Sequence, residues 1–288
     1  MPQWRIPFTC LDDNASLGQG TAGIIYAISD DIVIKVPVQY HVDTADEHGF
    51  FRHLSLRSLK ALENEASIYD ILASKPHKNI LRRIHGSPKK CLFLERVATT
   101  LESQFMHPSP VGINARQRWI MQLVSAAEWL EQIGLSHGDL RVNNVLVDVN
   151  GVLKLCDFDQ TTTTNHQRLR DDLRNLGTCI HFILHGTMPH PELREPEQNH
   201  KLEDGDFPAT DNVFGPITHK CWQGGYKSIA LLQRDIRALL VDLQEPDATL
   251  LIEHYSLSRL KMECISWLQN AGLNREWEDE KLEICPAL

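Results

Sequence analysis

The segment Ser136-His137-Gly138-Asp139-Leu140-Arg141-Val142-Asn143-Asn144, followed by Leu155-Cys156-Asp157-Phe158-Asp159, constrains this chain more than any other part of it. Asp139 and Asn144 are five residues apart, and Asp157 lies thirteen beyond Asn144. The spacing predicts a proton-accepting carboxylate, a metal-binding amide and a metal-binding carboxylate on two neighbouring loops. Phosphoryl transfer asks for little else. A γ-phosphate must be held with its Mg²⁺ while one carboxylate takes the acceptor's proton. Val145-Leu146-Val147 and Leu153-Lys154-Leu155, on either side of Asn150-Gly151, read as short strands between the two loops.

Upstream, Gly18-Gln19-Gly20-Thr21-Ala22-Gly23 precedes the apolar run Ile24–Ile28, and a Ser29-Asp30-Asp31 turn leads into Ile32-Val33-Ile34-Lys35-Val36. β-Branched runs around a tight polar turn predict hairpins. Lys35 is the anomaly, because a lysine centred in an apolar strand is costly to bury without a partner. A lysine keeping its head in water at a sheet edge is the bland alternative. Residues 38–56 are polar without a clear period and read as a loop. From Arg57 to Ala73, Leu59, Leu62, Ala66, Tyr69 and Leu72 recur at helical spacing. Glu65 sits beside that stripe and is preferred as the partner of Lys35 over Glu63, two positions away.

Leu81–Ile84 and Cys91–Glu95 are further strand candidates, separated by the turn-like Gly86-Ser87-Pro88. Asn114–Gln132 is an amphipathic helix with Trp119, Leu123, Ala126, Ala127 and Leu130 on one stripe. Arg170–Leu184 reads as a buried helix ended by Gly186, with more helices around 211–222 and 226–243. Leu260, Cys264, Trp267 and Leu268 are in phase in a helical appendage at the end.

With 288 residues, 42% apolar and 23% charged, the composition is that of an ordinary soluble globular protein of one or two lobes. A formal charge of −9 argues against a general nucleic-acid binder. No apolar run approaches the length of a membrane span, and the N-terminus lacks the apolar core of a secretory signal. Seven cysteines without a C-x-x-C pair read as reduced thiols of a cytosolic or nuclear protein. The fourteen histidines are scattered, which gives no reason to assign a transition metal.

Taken in order, Gly18-x-Gly20-x-x-Gly23-x-Ile25, Val33-Ile34-Lys35, Glu65, His137-Gly138-Asp139-Leu140-x-x-x-Asn144 and Asp157-Phe158-Asp159 resemble the signature set of the protein-kinase fold. Asp172-Leu173-Arg174-Asn175-Leu176-Gly177 with Gly186-x-x-Pro189 resembles the central buried helix of the kinase C-lobe. The match runs from about Ser16 to Leu243. Its detail is most similar to a divergent group of kinase-like proteins of filamentous fungi, and more weakly to aminoglycoside and choline phosphotransferases.

The resemblance implies an α+β, bilobal protein-kinase-like fold. The β-rich N-lobe with one main helix would span residues 1–96 and a larger helical C-lobe 97–245, with a C-terminal helical extension over 246–288. It implies ATP and Mg²⁺ as cofactors. The backbone of Gly18, Gly20 and Gly23 would cover the phosphates, and Lys35, paired to Glu65, would contact them. Leu17, Ile25, Val33 and Leu146 would enclose the adenine, with Leu94 as gatekeeper and Glu95 and Val97 as hinge. Asp139 would be the catalytic base, Arg141 a charge stabiliser, and Asn144 and Asp157 the metal holders. The acceptor would be a protein Ser or Thr or a small hydroxyl compound; a scaffold that binds nucleotide or partners without turnover is the other reading.

Three departures from the family pattern bear on this. Gly138 stands where an arginine usually pairs with a phosphorylated segment, and Asp159 stands where glycine lets the metal motif flip. Only fourteen residues separate Asp157 from Asp172, with no Ala-Pro-Glu between them. Fourteen residues reach about 45 Å when extended, enough for closure but too short for a peptide-docking platform of the usual size. Thr161–Thr164 reads as a solvated polar turn.

Overall fold

The computed structural model describes residues 3–11, 15–20, 22–41, 48–87, 90–106, 110–209, 212–240, 254–274 and 277. Cys285 and the boundary placed at residue 246 lie outside them. The chain divides into two compact units. Met1–Pro76, Arg82–Arg96 and Thr249–Leu288 form the first, and His77–Leu81 with Val97–Ala248 the second.

In the first unit, β1 (Gln3–Arg5) pairs with β5 (Gln39–His41), and β2 (Ser16–Gly20), β3 (Gly23–Ala27), β4 (Ile32–Val36), β6 (Arg83–Ser87) and β7 (Cys91–Glu95) form one antiparallel sheet in the order β2-β3-β4-β7-β6. All five residues of β4 are buried. Both faces of this strand are covered, which is why its sequence is apolar without alternation. Ile32, Ile34 and Val36 face a core shared with Ile24, Tyr26, Cys91 and Phe93. Val33 and Lys35 point the other way, toward α1 (His48–Ser74), which contributes Glu65.

Helix α1 begins nine residues earlier than its apolar period indicates, and β5 also falls in the stretch read as a loop. The inward face of this first part carries serines. Ser55 Oγ accepts from the Tyr40 amide at 2.8 Å, and Ser58 Oγ accepts from the Val38 amide at 3.0 Å and donates to the Ala22 carbonyl at 3.3 Å. Buried hydroxyls that satisfy a strand edge leave no hydrophobic period to read. Similarly, Gly86 and Ser87 belong to β6 rather than to a turn, with Ser87 opposite Cys91.

The C-terminal helix (His254–Asn270) is no appendage. Leu260 and Cys264 are buried in the same core as Ile6, Phe8 and Phe93. Trp267 makes edge contacts with Phe8 (5.1 Å between centroids) and Phe93 (5.6 Å). The Thr9 amide donates to Gly272 O at 3.1 Å and the Asn274 amide to Pro7 O at 2.9 Å. Ile6–Thr9 and the helix with the residues up to Asn274 thus pack together on one face of the sheet.

The second unit holds β8 (Thr99–Thr100), α2 (Leu101–Met106), α3 (Ile113–Gln132), β9 (Leu135–Ser136), β10 (Val145–Val147), β11 (Leu153–Leu155), β12 (Thr162–Thr163), α4 (His166–His185), α5 (Glu195–Glu203), α6 (Gly215–Trp222) and α7 (Ile229–Leu239). The strands form two small antiparallel sheets, β11-β10-β8 and β12-β9. Helix α3 anchors the unit: Gln122 Oε1 accepts the Leu153 amide, and Glu131 Oε2 accepts the Ile229 amide, both at 2.9 Å. Helix α4 starts at an Asn165 N-cap that accepts the Arg168 amide and stops at Gly186, whose φ of 75° is left-handed. Gly177 is needed for helix packing, since a Cβ there would lie 2.7 Å from Cys221 Cβ.

On α4, His181 is 5% exposed and packs at a tilt against His185 (4.4 Å between centroids) and Trp222 (5.8 Å). Burial, reinforced by the neighbouring imidazoles of His185, His190 and His219, pushes its pKa down from 6.5 to about 4. The unfolded chain then binds the proton that the folded one refuses. This contribution to stability is fully present above about pH 6.5 and is lost as pH falls toward 4. Chemical denaturation should show about 2 kcal/mol less stability at pH 4.5 than at pH 7 from this ring, and a His181→Phe variant should lack that part of the slope.

Candidate active site

The first unit holds the phosphate-side residues. Gly18 pairs with Ile25 and Gly20 with Gly23 across the β2–β3 hairpin, with a register shift between Ser16 and Gly18 that leaves Leu17 at an irregularity, 54% exposed. Gly18 and Gly20 have open space around the position of a Cβ. Gly23 does not: a Cβ there would meet Val36 O at 1.9 Å, and its φ is 146°. The third glycine therefore serves strand packing, whereas the first two leave backbone accessible at the hairpin.

Lys35 Nζ lies 2.6 Å from Glu65 Oε2, with both side chains buried. Glu65, not Glu63, receives it. Cross-strand pairing sets Ile25 beside Lys35 and Val33 beside Leu94. Ile25 is half-buried, while Val33 and Leu94 are buried. Glu95 turns its side chain back, where Oε1 accepts the Arg82 amide at 2.8 Å, and its own amide donates to Arg82 O at 3.0 Å.

The second unit holds the residues that the sequence reading expects as base, charge stabiliser and metal holders, and three of them lie together. Asn144 Nδ2 donates to Asp139 O at 2.8 Å and to Asp139 Oδ2 at 2.9 Å. The guanidinium of Arg141 lies 3.1 Å from the same Asp139 oxygen. Asp157 follows Cys156, whose amide donates to Asn144 O at 3.0 Å. Asp157 has φ 67°, in the left-handed region, which re-aims the chain right after β11. Leu146, on β10, and Val97, before β8, are both half-buried in this unit.

Residues that the sequence reading left without a role hold this loop. Asp172, on α4, accepts the His137 amide (2.8 Å) and the Gly138 amide (3.0 Å) through its two carboxylate oxygens. Burial raises the Asp172 pKa, opposed by charge on His137 and by these two hydrogen bonds. The His137 ring packs on the fully buried Phe158 (5.2 Å), and its Nε2 lies 3.1 Å from Cys156 O. A carboxylate on the inward face of an otherwise apolar stripe was the available signal for Asp172. Nothing local marked Thr161, which is 1% exposed and donates to His137 O at 3.0 Å. The predicted turn is a strand, with Thr162 opposite Ser136 and Thr163 opposite Leu135, and these two threonines are exposed as expected. Gly138, with φ 80°, has to be glycine, because a Cβ would fall 2.5 Å from Gln160 O.

No group of three or more His, Cys, Asp or Glu among the described residues is arranged to hold a metal ion. Asn144 and Asp157 nevertheless fit Mg²⁺ of a nucleotide. With the Asn144 amide nitrogen committed to Asp139, Oδ1 is the side-chain atom left to bind a cation. One amide oxygen and one carboxylate suit a cation that keeps waters and phosphate oxygens as its remaining ligands.

A β-sheet lobe with a buried Lys–Glu pair and a helical lobe with a hydrogen-bonded Asp–Asn loop define a protein of kinase architecture. A model of the protein kinase domain matches residues 11–179, more than half of the chain, which therefore belongs to the protein kinase domain family. The chain is 24% identical over 147 residues to serine/threonine-protein kinase NLK2 of Xenopus laevis, covering 49% of this chain and 31% of that protein. It is 28% identical over 156 residues to mitogen-activated protein kinase 4 of Oryza sativa subsp. japonica (52% of this chain, 40% of the other). It is 22% identical over 232 residues to CBL-interacting serine/threonine-protein kinase 20 of Arabidopsis thaliana (71% and 51%). The matched regions span about a third to a half of these relatives.

Proposed function

We propose that the chain is an ATP- and Mg²⁺-dependent phosphotransferase whose acceptor is a Ser or Thr hydroxyl of a protein. The observation that carries this reading is Asn144. Its amide nitrogen donates to the Asp139 carbonyl and carboxylate, which leaves its own oxygen to bind a cation. Asp139 is then the base that takes the hydroxyl proton, with Arg141 beside it balancing charge near the transferred phosphoryl. Asn144 and Asp157 hold Mg²⁺, which neutralises phosphate charge when bound. Lys35, oriented by Glu65, contacts the α- and β-phosphates; the hairpin backbone around Gly18 and Gly20 covers them, and Gly23 closes it. For the adenine, the first unit offers Leu17, Ile25, Val33, Leu94 and Glu95, and the second offers Val97 and Leu146. The described cysteines are free thiols, in keeping with a cytosolic or nuclear location.

A small hydroxyl acceptor is the second reading. It is favoured by the residues after Asp157, which pair directly onto β9 and leave little chain to dock a peptide.

Wild-type protein should transfer phosphate from ATP to itself, to generic protein substrates or to small alcohols. Asp139→Asn should lose about 10²–10⁴-fold of that rate while still binding nucleotide. ATP with Mg²⁺ at a hundred times its dissociation constant should stabilise the wild type by about 2.7 kcal/mol and Asp157→Asn by much less. No stabilisation and no transfer in the wild type would leave a scaffold in place of an enzyme.

A further inference from the structure

The short segment after Asp157-Phe158-Asp159 is tied down along its length. The Thr161 amide closes a turn on Phe158 O at 3.1 Å, and β12 pairs with β9. The Thr164 amide donates to Gly134 O at 2.9 Å, its hydroxyl lies 3.1 Å from Ser136 Oγ, and α4 starts immediately afterwards. Gln160 O sits against Gly138, in the space a side chain there would need. This segment reaches the Asp139 loop through the Thr161 hydroxyl, which donates to the His137 carbonyl at 3.0 Å.

His137 is the peptide unit from which Asp139 is set. Its amide is fixed by Asp172 and its ring by the Cys156 carbonyl, while its Nδ1 accepts the Asp139 amide at 3.3 Å. Thr161 holds the remaining side, the carbonyl that leads into Gly138. A left-handed glycine follows at once, and it is the backbone position least able to hold its own conformation. A buried hydroxyl that stops this carbonyl from rotating determines where the next side chain points.

From this we infer that Thr161 is a positioning residue, clamping the His137–Asp139 backbone so that the Asp139 carboxylate faces its acceptor without an added phosphate. The inference rests on Asp139 being the base, and it assigns a conformational role to a threonine that would otherwise only fill the core. A segment already held by a ladder, a turn and this hydroxyl has no disordered state left for phosphorylation to order.

The test compares the full chain with Thr161→Val, which keeps shape but removes the donor, and Thr161→Ser, which keeps the donor. Thr161→Val should lower kcat about tenfold to a hundredfold, the scale of a small misplacement of a catalytic group, with KM for ATP nearly unchanged; Thr161→Ser should restore kcat. Amide hydrogen exchange at Gly138 and Asp139 should quicken in Thr161→Val and not in Thr161→Ser. Wild-type exchange at these amides in Thr161→Val, or equal defects in both variants, overturns the inference. If the wild type has no turnover, the reading of Asp139 fails, and exchange alone still decides whether Thr161 clamps the loop.

Discussion

Deleting the residues from His254 onward is expected to lower the unfolding temperature of this protein by about 10 °C and to expose its first unit to protease. Leu260 and Cys264 are buried, and Trp267 packs edge-on against both Phe8 and Phe93. At about 1.5–3 kcal/mol for each large side chain buried, losing the helix removes about 4 kcal/mol or more of apolar contact. That is a large share of the ~5–15 kcal/mol by which a domain is stable. It corresponds to about 2–4 °C per kcal/mol for a chain of this size class. The damage compounds, because Thr9 and Pro7 lose their bonds to Gly272 and Asn274 and the N-terminal segment loses its anchor. Thermal unfolding of the truncated chain, with proteolytic mapping of what survives, is the measurement. An unchanged melting temperature would mean that the helix lies over the sheet without closing its core.

A second large effect is expected at Lys35. With Glu65 0% exposed and 2.6 Å from the lysine, Lys35→Met takes the cation away from a buried carboxylate. Breaking a buried pair from one side costs about 3–5 kcal/mol, and the carboxyl answers by taking up a proton. Replacing both partners by apolar residues of similar volume is often neutral or stabilising. Lys35→Met with Glu65→Leu should therefore regain most of the stability lost by Lys35→Met alone, while phosphate transfer stays at background in both. Denaturant unfolding at pH 7 separates the two outcomes. A double variant as unstable as the single would show that the pair is held in place by more than its own charges, and equal activity in all forms would remove Lys35 from the reaction.

The contacts between Lys35 and Glu65 and between Asp139 and Asn144 were legible because each residue type stands out from its surroundings. Lys35 announced itself as a charge in an apolar strand, and Glu65 as an acid beside a helical stripe. The Asp139–Asn144 interval already placed two polar groups within one short loop, and they meet at 2.9 Å. Strands Val145–Val147, Leu153–Leu155 and Cys91–Glu95 came out with the bounds their apolar runs predicted. What escaped notice was of two kinds. The first part of α1 faces inward with serines, and a hydroxyl that satisfies a strand edge carries no hydrophobic period. Thr161 acts through one hydrogen bond and Asp172 through two, all to a loop far off in sequence, and no local pattern names that partner.

By itself, then, the sequence determined the chemistry on offer and the order of the elements that carry it, since both depend on residue type and on short-range periodicity. Only the tertiary structure decided that Gly138 and Gly23 are glycines for want of space, because a carbonyl from another strand or segment occupies the place of a Cβ at each. It alone made the last helix part of the first unit's core. Steric exclusion and burial are properties of what lies opposite a residue, and what lies opposite is set by the whole fold.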